Sequence, residues 1–149
     1  MYTKQEESKH RQAFWTTFGQ YMQPVLSADG LRANWVNYKT GIPGITFRMD
    51  AGSKQATINI LLSHTDEQVQ QQHYDQFLSL RGVLHDTLGE AWQWQPLITN
   101  EYGKTISTIS ATLPSVNINR PEDWQALISF FKPRIIALDH FWHLVKDAF

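Results

Sequence analysis

The chain has no cysteine among its 149 residues. Disulfides, thiol nucleophiles and cysteine-type zinc sites are therefore excluded. It also has little charge of either sign in excess: 13 Lys and Arg stand against 14 Asp and Glu, a formal net charge of −1. No overall field gathers nucleic acid or an anionic membrane surface, and a dedicated DNA-binding module is expected to be clearly basic. A local basic patch stays open. No run approaches the apolar length of a membrane span, about 20 residues. The N-terminus, Met1 to Lys9, is polar and has no apolar signal core behind it. Membrane contact is not expected, and the cytoplasm is the expected compartment. The few Pro and Gly are scattered at boundaries, with no repeat, low-complexity tract or linker.

What is present is apolar and aromatic. Hydrophobic residues make up 42% and aromatics 13%, with six Trp. That composition suits a globular chain, and its length suits a single domain over residues 1–149.

Periodicity supplies the elements. Phe14, Phe18 and Met22 step by four, widened by Trp15, and predict a helix from Glu6 to Gln23 that stops at Pro24. Trp35 to Tyr38 reads as a short strand. Ile45, Phe47 and Met49 alternate with Thr46, Arg48 and Asp50; Ala56, Ile58, Ile60 and Leu62 alternate in the same way. These are two antiparallel strands joined at Ala51-Gly52-Ser53. Thr65 with Gln68 fits a capping box ahead of a second helix running to Leu88, its stripe carried by Val69, His73, Phe77, Leu80, Leu84 and Leu88. Trp92 to Gln95 reads as a strand broken near Pro96, and Ile109, Ala111 and Leu113 as the face of another. Pro121 opens a last helix whose apolar stripe runs from Trp124 to Phe149, with a kink or short break expected at Pro133. The fold class is α+β: helix, strands, helix, strands, long C-terminal helix, with about five antiparallel strands and three helices.

No catalytic constellation emerges. Gly41 to Gly44 is too short for a phosphate loop and leads into a strand, and no nucleophile elbow is present. His140 and His143, beside Asp139, have a spacing that metal sites use, but no third ligand is marked. His73 and His85 lie in the second helix without partners. His64 stands at the junction of a strand and a helix, where sites often form. A metal-dependent nuclease needs an acid on one strand and an acid-x-Lys on the next. Asp50 offers the first, whereas Leu61-Leu62-Ser63 offers neither. No metal or cofactor is expected. Asn34-Trp35-Val36-Asn37-Tyr38-Lys39 mixes groups that stack rings and hydrogen-bond their edges. Trp35, Asn37, Tyr38 and Lys39 are the candidate binding residues, joined by Arg48 and His64. Phe131, Lys132, Arg134 and Trp142, around Pro133, are the candidate interface.

Phe14-Trp15, the Asn34 to Gly41 segment, Phe47-Arg48-Met49-Asp50, Glu101-Tyr102-Gly103-Lys104, Asp123-Trp124, Phe130-Phe131-Lys132 and Leu138 to Trp142 occur in one order over nearly the whole chain. In this the sequence resembles a bacterial family, domain of unknown function 4268. The resemblance implies an accessory role in nucleic-acid processing or defence, because members also occur behind restriction-type nuclease regions. It supplies no catalytic residues.

The leading expectation is a non-catalytic interaction module that self-associates as a homo-oligomer, through an aromatic stripe wider than one small sheet can cover. A different protein partner stays open. The alternatives are a nucleic-acid-binding domain using Trp35, Tyr38, Lys39 and Arg48, and a degenerate or metal-dependent nuclease-like enzyme that would rest on Asp50.

Overall fold

The structure, a computed structural model, describes residues 2–149. Its first helix, α1 (Lys4–Met22), opens on a capping box. The Thr3 hydroxyl accepts from the Glu6 amide, and the Glu6 carboxylate accepts from the Thr3 amide. Phe14, Phe18 and Met22 of α1 are buried, as their spacing requires.

Strands β1 (Ile45–Ala51) and β2 (Gln55–Leu62) form the expected hairpin. β3 (Gln93–Thr99) and β4 (Thr105–Pro114) form a second. The two hairpins join through β2 and β4 into one antiparallel sheet of order β1-β2-β4-β3. Ile58 opposes Ala111, Ile60 opposes Ile109, and Leu62 opposes Ser107. Side chains alternate across a pleated strand, so one face of the sheet gathers Ile45, Phe47, Ile58, Ile60, Leu62 and Ile109, all buried. The helices lie on that face. α2 (Glu67–Ser79), α3 (Arg81–Leu88) and α4 (Trp124–Val145) complete the set, with short 3₁₀ turns at Pro121–Asp123 and Lys146–Ala148. A continuous core takes in Phe14 of α1, Phe47 of β1, Phe77 of α2, Leu84 of α3, Ile109 of β4 and Trp142 of α4. Among the described residues, no helix is long and apolar enough to cross a membrane.

The structure departs from the sequence reading at six places. The sheet has four strands, not about five, because Trp35–Tyr38 is a turn. The Asn34 side chain accepts from the Asn37 amide there, and the Trp35 indole donates to the Val25 carbonyl, so the segment is bound inward and has no strand partner. The described residues form four α-helices, not three, because the second divides at Leu80, whose amide turns back to the Phe77 carbonyl. The cap of α2 is Asp66, whose carboxylate accepts from the Gln68 amide, and not Thr65.

The buried face of α2 is rotated by one residue from the expected stripe. Val69 is exposed, while Gln70 is fully buried because its amide is fully used. It donates to the carbonyls of His64 and Thr105 and accepts from the Ser107 hydroxyl. Ser107 in turn accepts from the amide of Leu97, which lies beside Pro96 where β3 slips register against β4. Pro96 thus bulges the strand rather than ending it. Finally, α4 runs unbroken through Pro133. The ring faces solvent, and only the Ser129 carbonyl loses an intrahelical donor.

Candidate functional site

The site residues expected from the sequence fall at three separate places. Trp35 is buried, with its indole N–H satisfied, so its ring belongs to the core and presents no stacking surface. Asn37 and Lys39 are exposed on the same segment. Tyr38 is half-buried and stacks on Phe47 at 5.3 Å. Arg48 lies on the face of the sheet away from the helices, and His64 at the far end of β2.

At the first place, the 25–40 segment is fastened to α4 by one carboxylate. Asp139 is 1% exposed on the buried side of the helix. It accepts from the Ser27 hydroxyl at 2.7 Å, the Ala28 amide at 2.8 Å and the Tyr38 hydroxyl at 2.6 Å. Burial, and then the bond to Asp139, push the Tyr38 hydroxyl far above its ordinary value, so it stays a donor. One turn on, His143 Nδ1 points at the Asp139 carbonyl at 2.9 Å, and Nε2 lies 3.5 Å from the Asp29 carboxylate. The Leu31 amide, and beyond it His143, hold the Asp29 carboxyl below its ordinary range. Trp142 donates to the Thr40 carbonyl at 2.8 Å and closes the segment at its other end. Periodicity alone did not single out this use of Asp139. The signal was there: an acid on the inner side of an apolar helix stripe, between Leu138 and Phe141, must find buried donors.

At the second place, His64 Nε2 and His73 Nδ1 stand 2.7 Å apart, so one ring donates to the other. His64 packs against Gly44, where a β-carbon would stand 2.5 Å from the ring and where φ is +86°. The Nδ1 of His64 is buried without a partner. Burial lowers the pKa of both rings, and His73 adds to the effect on His64. The unfolded chain therefore binds more protons than the folded one below the ordinary value of 6.5. Stability from this pair is complete above that value and is lost as the pH falls from it toward the lowered values of the folded rings. We expect the urea midpoint to drop between about pH 7.5 and about pH 5.5, and to drop less in His73→Gln. Equal drops in the two proteins would refute the assignment.

The third place is the uncovered face of the sheet. A trough of about 440 Å³ runs across it between Arg48, Asp50, Thr57 and Asn59 on one side and Tyr102, Lys104 and Thr108 on the other. Asn59 Oδ1 is buried there with no hydrogen-bond donor. Arg48, Asp50, Glu101 and Lys104 form no ion pair with any described residue. Asp50 and Glu101 both line the trough, but among the described residues no group of three or more His, Asp or Glu is placed to hold a metal ion.

The expected interface residues around Pro133 are largely occupied within the chain. Phe131 is fully buried and Trp142 is 1% exposed. Lys132 lies over the Tyr21 ring at 4.7 Å. Arg134 grips Glu90 with two hydrogen bonds, at 2.7 and 3.1 Å. The stripe of α4 is covered by α1, α3 and the sheet, so it needs no second copy to bury it.

Several motif segments, then, are seams of the fold: Asn34 to Gly41 is sewn to Leu138–Trp142, and Phe14-Trp15 packs on Phe131. A family model described as Domain of unknown function (DUF4268) matches residues 10–146. The chain belongs to this family. No curated protein and no solved structure matches the chain. In this member of the family, the matched region spans both seams, the histidine pair and the whole sheet.

Proposed function

We propose that the chain is a non-catalytic interaction module that self-associates through the uncovered face of its sheet. The observation that carries this reading is the charge pattern around the trough. Arg48 and Lys104 supply two positive charges, Asp50 and Glu101 two negative ones, and none forms an ion pair with another described residue. A face that is neutral overall but carries unpaired charges of both signs is complementary to itself. About a two-fold axis, the cations of one copy meet the acids of the other, and the reverse contact follows by symmetry. Two such faces stack with their strands nearly aligned, about 10 Å apart. The half-buried Leu61 and the hydroxyls of Thr57 and Thr108 fill the space between the charges. The Asn59 carbonyl oxygen, without a donor in the single chain, would gain one from the facing copy. Such a module is expected in the cytoplasm, and the family resemblance gives nucleic-acid processing or defence as its setting.

Light scattering coupled to size-exclusion chromatography tests the reading. The native chain is expected to run as a dimer at micromolar concentration. Arg48→Glu sets like charges face to face and is expected to yield monomer, as is Asp50→Arg. The double swap R48E/D50R restores opposite charges and is expected to restore the dimer. A native chain that stays monomeric at high micromolar concentration, or a double swap no better than the single ones, would sink the proposal.

A further inference from the structure

We propose that the hollow between the 25–40 segment and the end of α4 is a binding site for a small phosphate monoester. The hollow has a volume of about 380 Å³, within the range of small-ligand sites, ~300–1,000 Å³. Its walls carry three cations, Arg32, Lys39 and Lys146, and a single carboxylate, Asp29. The lining side chains carry an excess of two positive charges, and the Asp139 carboxylate behind them is already taken by Ser27, Ala28 and Tyr38. None of the three cations has an ion-pair partner among the described residues, whereas Asp29 is already engaged by the Leu31 amide and by His143. Unpaired cations that line one hollow repel one another, and a dianion relieves that repulsion.

The ligand class follows from the donors. A phosphate monoester carries about −1.5 to −2 charges at neutral pH, which matches the excess of two; a carboxylate carries half as much. The planar guanidinium of Arg32 can fork two phosphate oxygens, while Lys39 and Lys146 act as point charges on flexible four-carbon stems. Asn34 lines the same wall. Its oxygen is taken by the Asn37 amide, which leaves its –NH₂ as a donor toward the hollow or its rim. A neutral sugar or an apolar molecule would leave the cations unanswered.

The site is also preorganised. Arg32 and Lys39 stand on a segment whose flanks are pinned to α4: Ser27, Ala28 and Tyr38 on the Asp139 carboxylate, and the Thr40 carbonyl on the Trp142 indole. Lys146 follows directly on α4, three residues after His143. The cations therefore share one fixed backbone base, and binding has to order only their side chains. The hollow is on the helical side of the sheet, where Tyr38 stacks on Phe47, so the inference is independent of association through the opposite face.

Isothermal titration of the full chain with a nucleoside 5′-monophosphate, inorganic phosphate and acetate tests the site. The monophosphate is expected to bind one to one and to weaken with added salt. Arg32→Ala, Lys39→Ala and Lys146→Ala are each expected to lower affinity by about tenfold, the scale of one charge-assisted hydrogen bond. Lys9→Ala on α1 is expected to change nothing. Inorganic phosphate binding as tightly as the monophosphate would assign the site to the free anion and overturn the ester. Binding of a short oligonucleotide with no binding of the monophosphate would assign the cations to a nucleic-acid backbone and overturn it too. So would acetate binding equally, or affinity undiminished in all three variants.

Discussion

Asp139→Ala is expected to cost about 3–5 kcal/mol of folding stability, because three donors lose one shared acceptor and each unsatisfied donor costs about 1–3 kcal/mol. The variant leaves the Ser27 hydroxyl, the Ala28 amide and the Tyr38 hydroxyl without their shared acceptor at a partly buried seam. Replacing a whole buried polar cluster by apolar groups can be neutral, but removing only the acceptor leaves every donor in place with nothing to bond. Against a total stability of about 5–15 kcal/mol for a domain of ordinary size, the loss removes a large part of the whole. Tyr38→Phe removes one of those donors and keeps the acceptor satisfied by the others, and is expected to cost less, about 1.5–3 kcal/mol. Urea unfolding followed by tryptophan fluorescence measures both. An Asp139→Ala midpoint within error of the native one would mean that the carboxylate does not hold the segment.

The second large effect is expected at Trp142→Ala, about 3–5 kcal/mol, as for other fully buried aromatics. The ring lies against Phe47 at 5.6 Å, Phe149 at 5.2 Å and Phe77 at 6.3 Å. Its N–H is the partner of the Thr40 carbonyl. The variant opens a cavity at the meeting point of α4, α2 and β1 and frees a carbonyl besides. Leu144, two residues on, is 72% exposed. Leu144→Ala is expected to fall within about 0.5 kcal/mol of the native chain. Similar costs at the two positions would contradict the packing of α4 described above.

Most of the architecture was legible where one physical signal acted alone. The alternation of Ile45, Phe47 and Met49, and that of Ala56, Ile58, Ile60 and Leu62, placed β1 and β2 and their pairing, because a sheet covered on one face imposes a period of two. Phe14, Phe18 and Met22 placed α1 for the corresponding reason. The reading failed where a specific polar contact outweighed periodicity. Gln70 displaced Val69 from the core because its amide meets three partners across the sheet. Trp35 to Tyr38 alternates like a strand but is a turn, because its indole and hydroxyl bond inward.

The candidate sites were less legible than the fold. Tyr38 and Lys39 were drawn from the sequence as neighbours of Arg48 and His64, yet the fold sends these four to different places. Arg32 and Lys146, more than a hundred residues apart in sequence, line one hollow with Lys39. Only the seam between the 25–40 segment and α4 brings them together, and that seam depends on long-range hydrogen bonds that no local pattern encodes.

The slip at Pro96 and Leu97 has a consequence for how the molecule meets its own kind. β3 is an edge strand, and an edge offers unpaired backbone groups to any passing strand. Pro96 has no N–H to give, Leu97 spends its own on Ser107, and the extra residue bends the ladder out of line. A neighbouring chain therefore finds no continuous template along that border. Growth by adding strand to strand is blocked on the β3 side, and fibrous polymerisation with it.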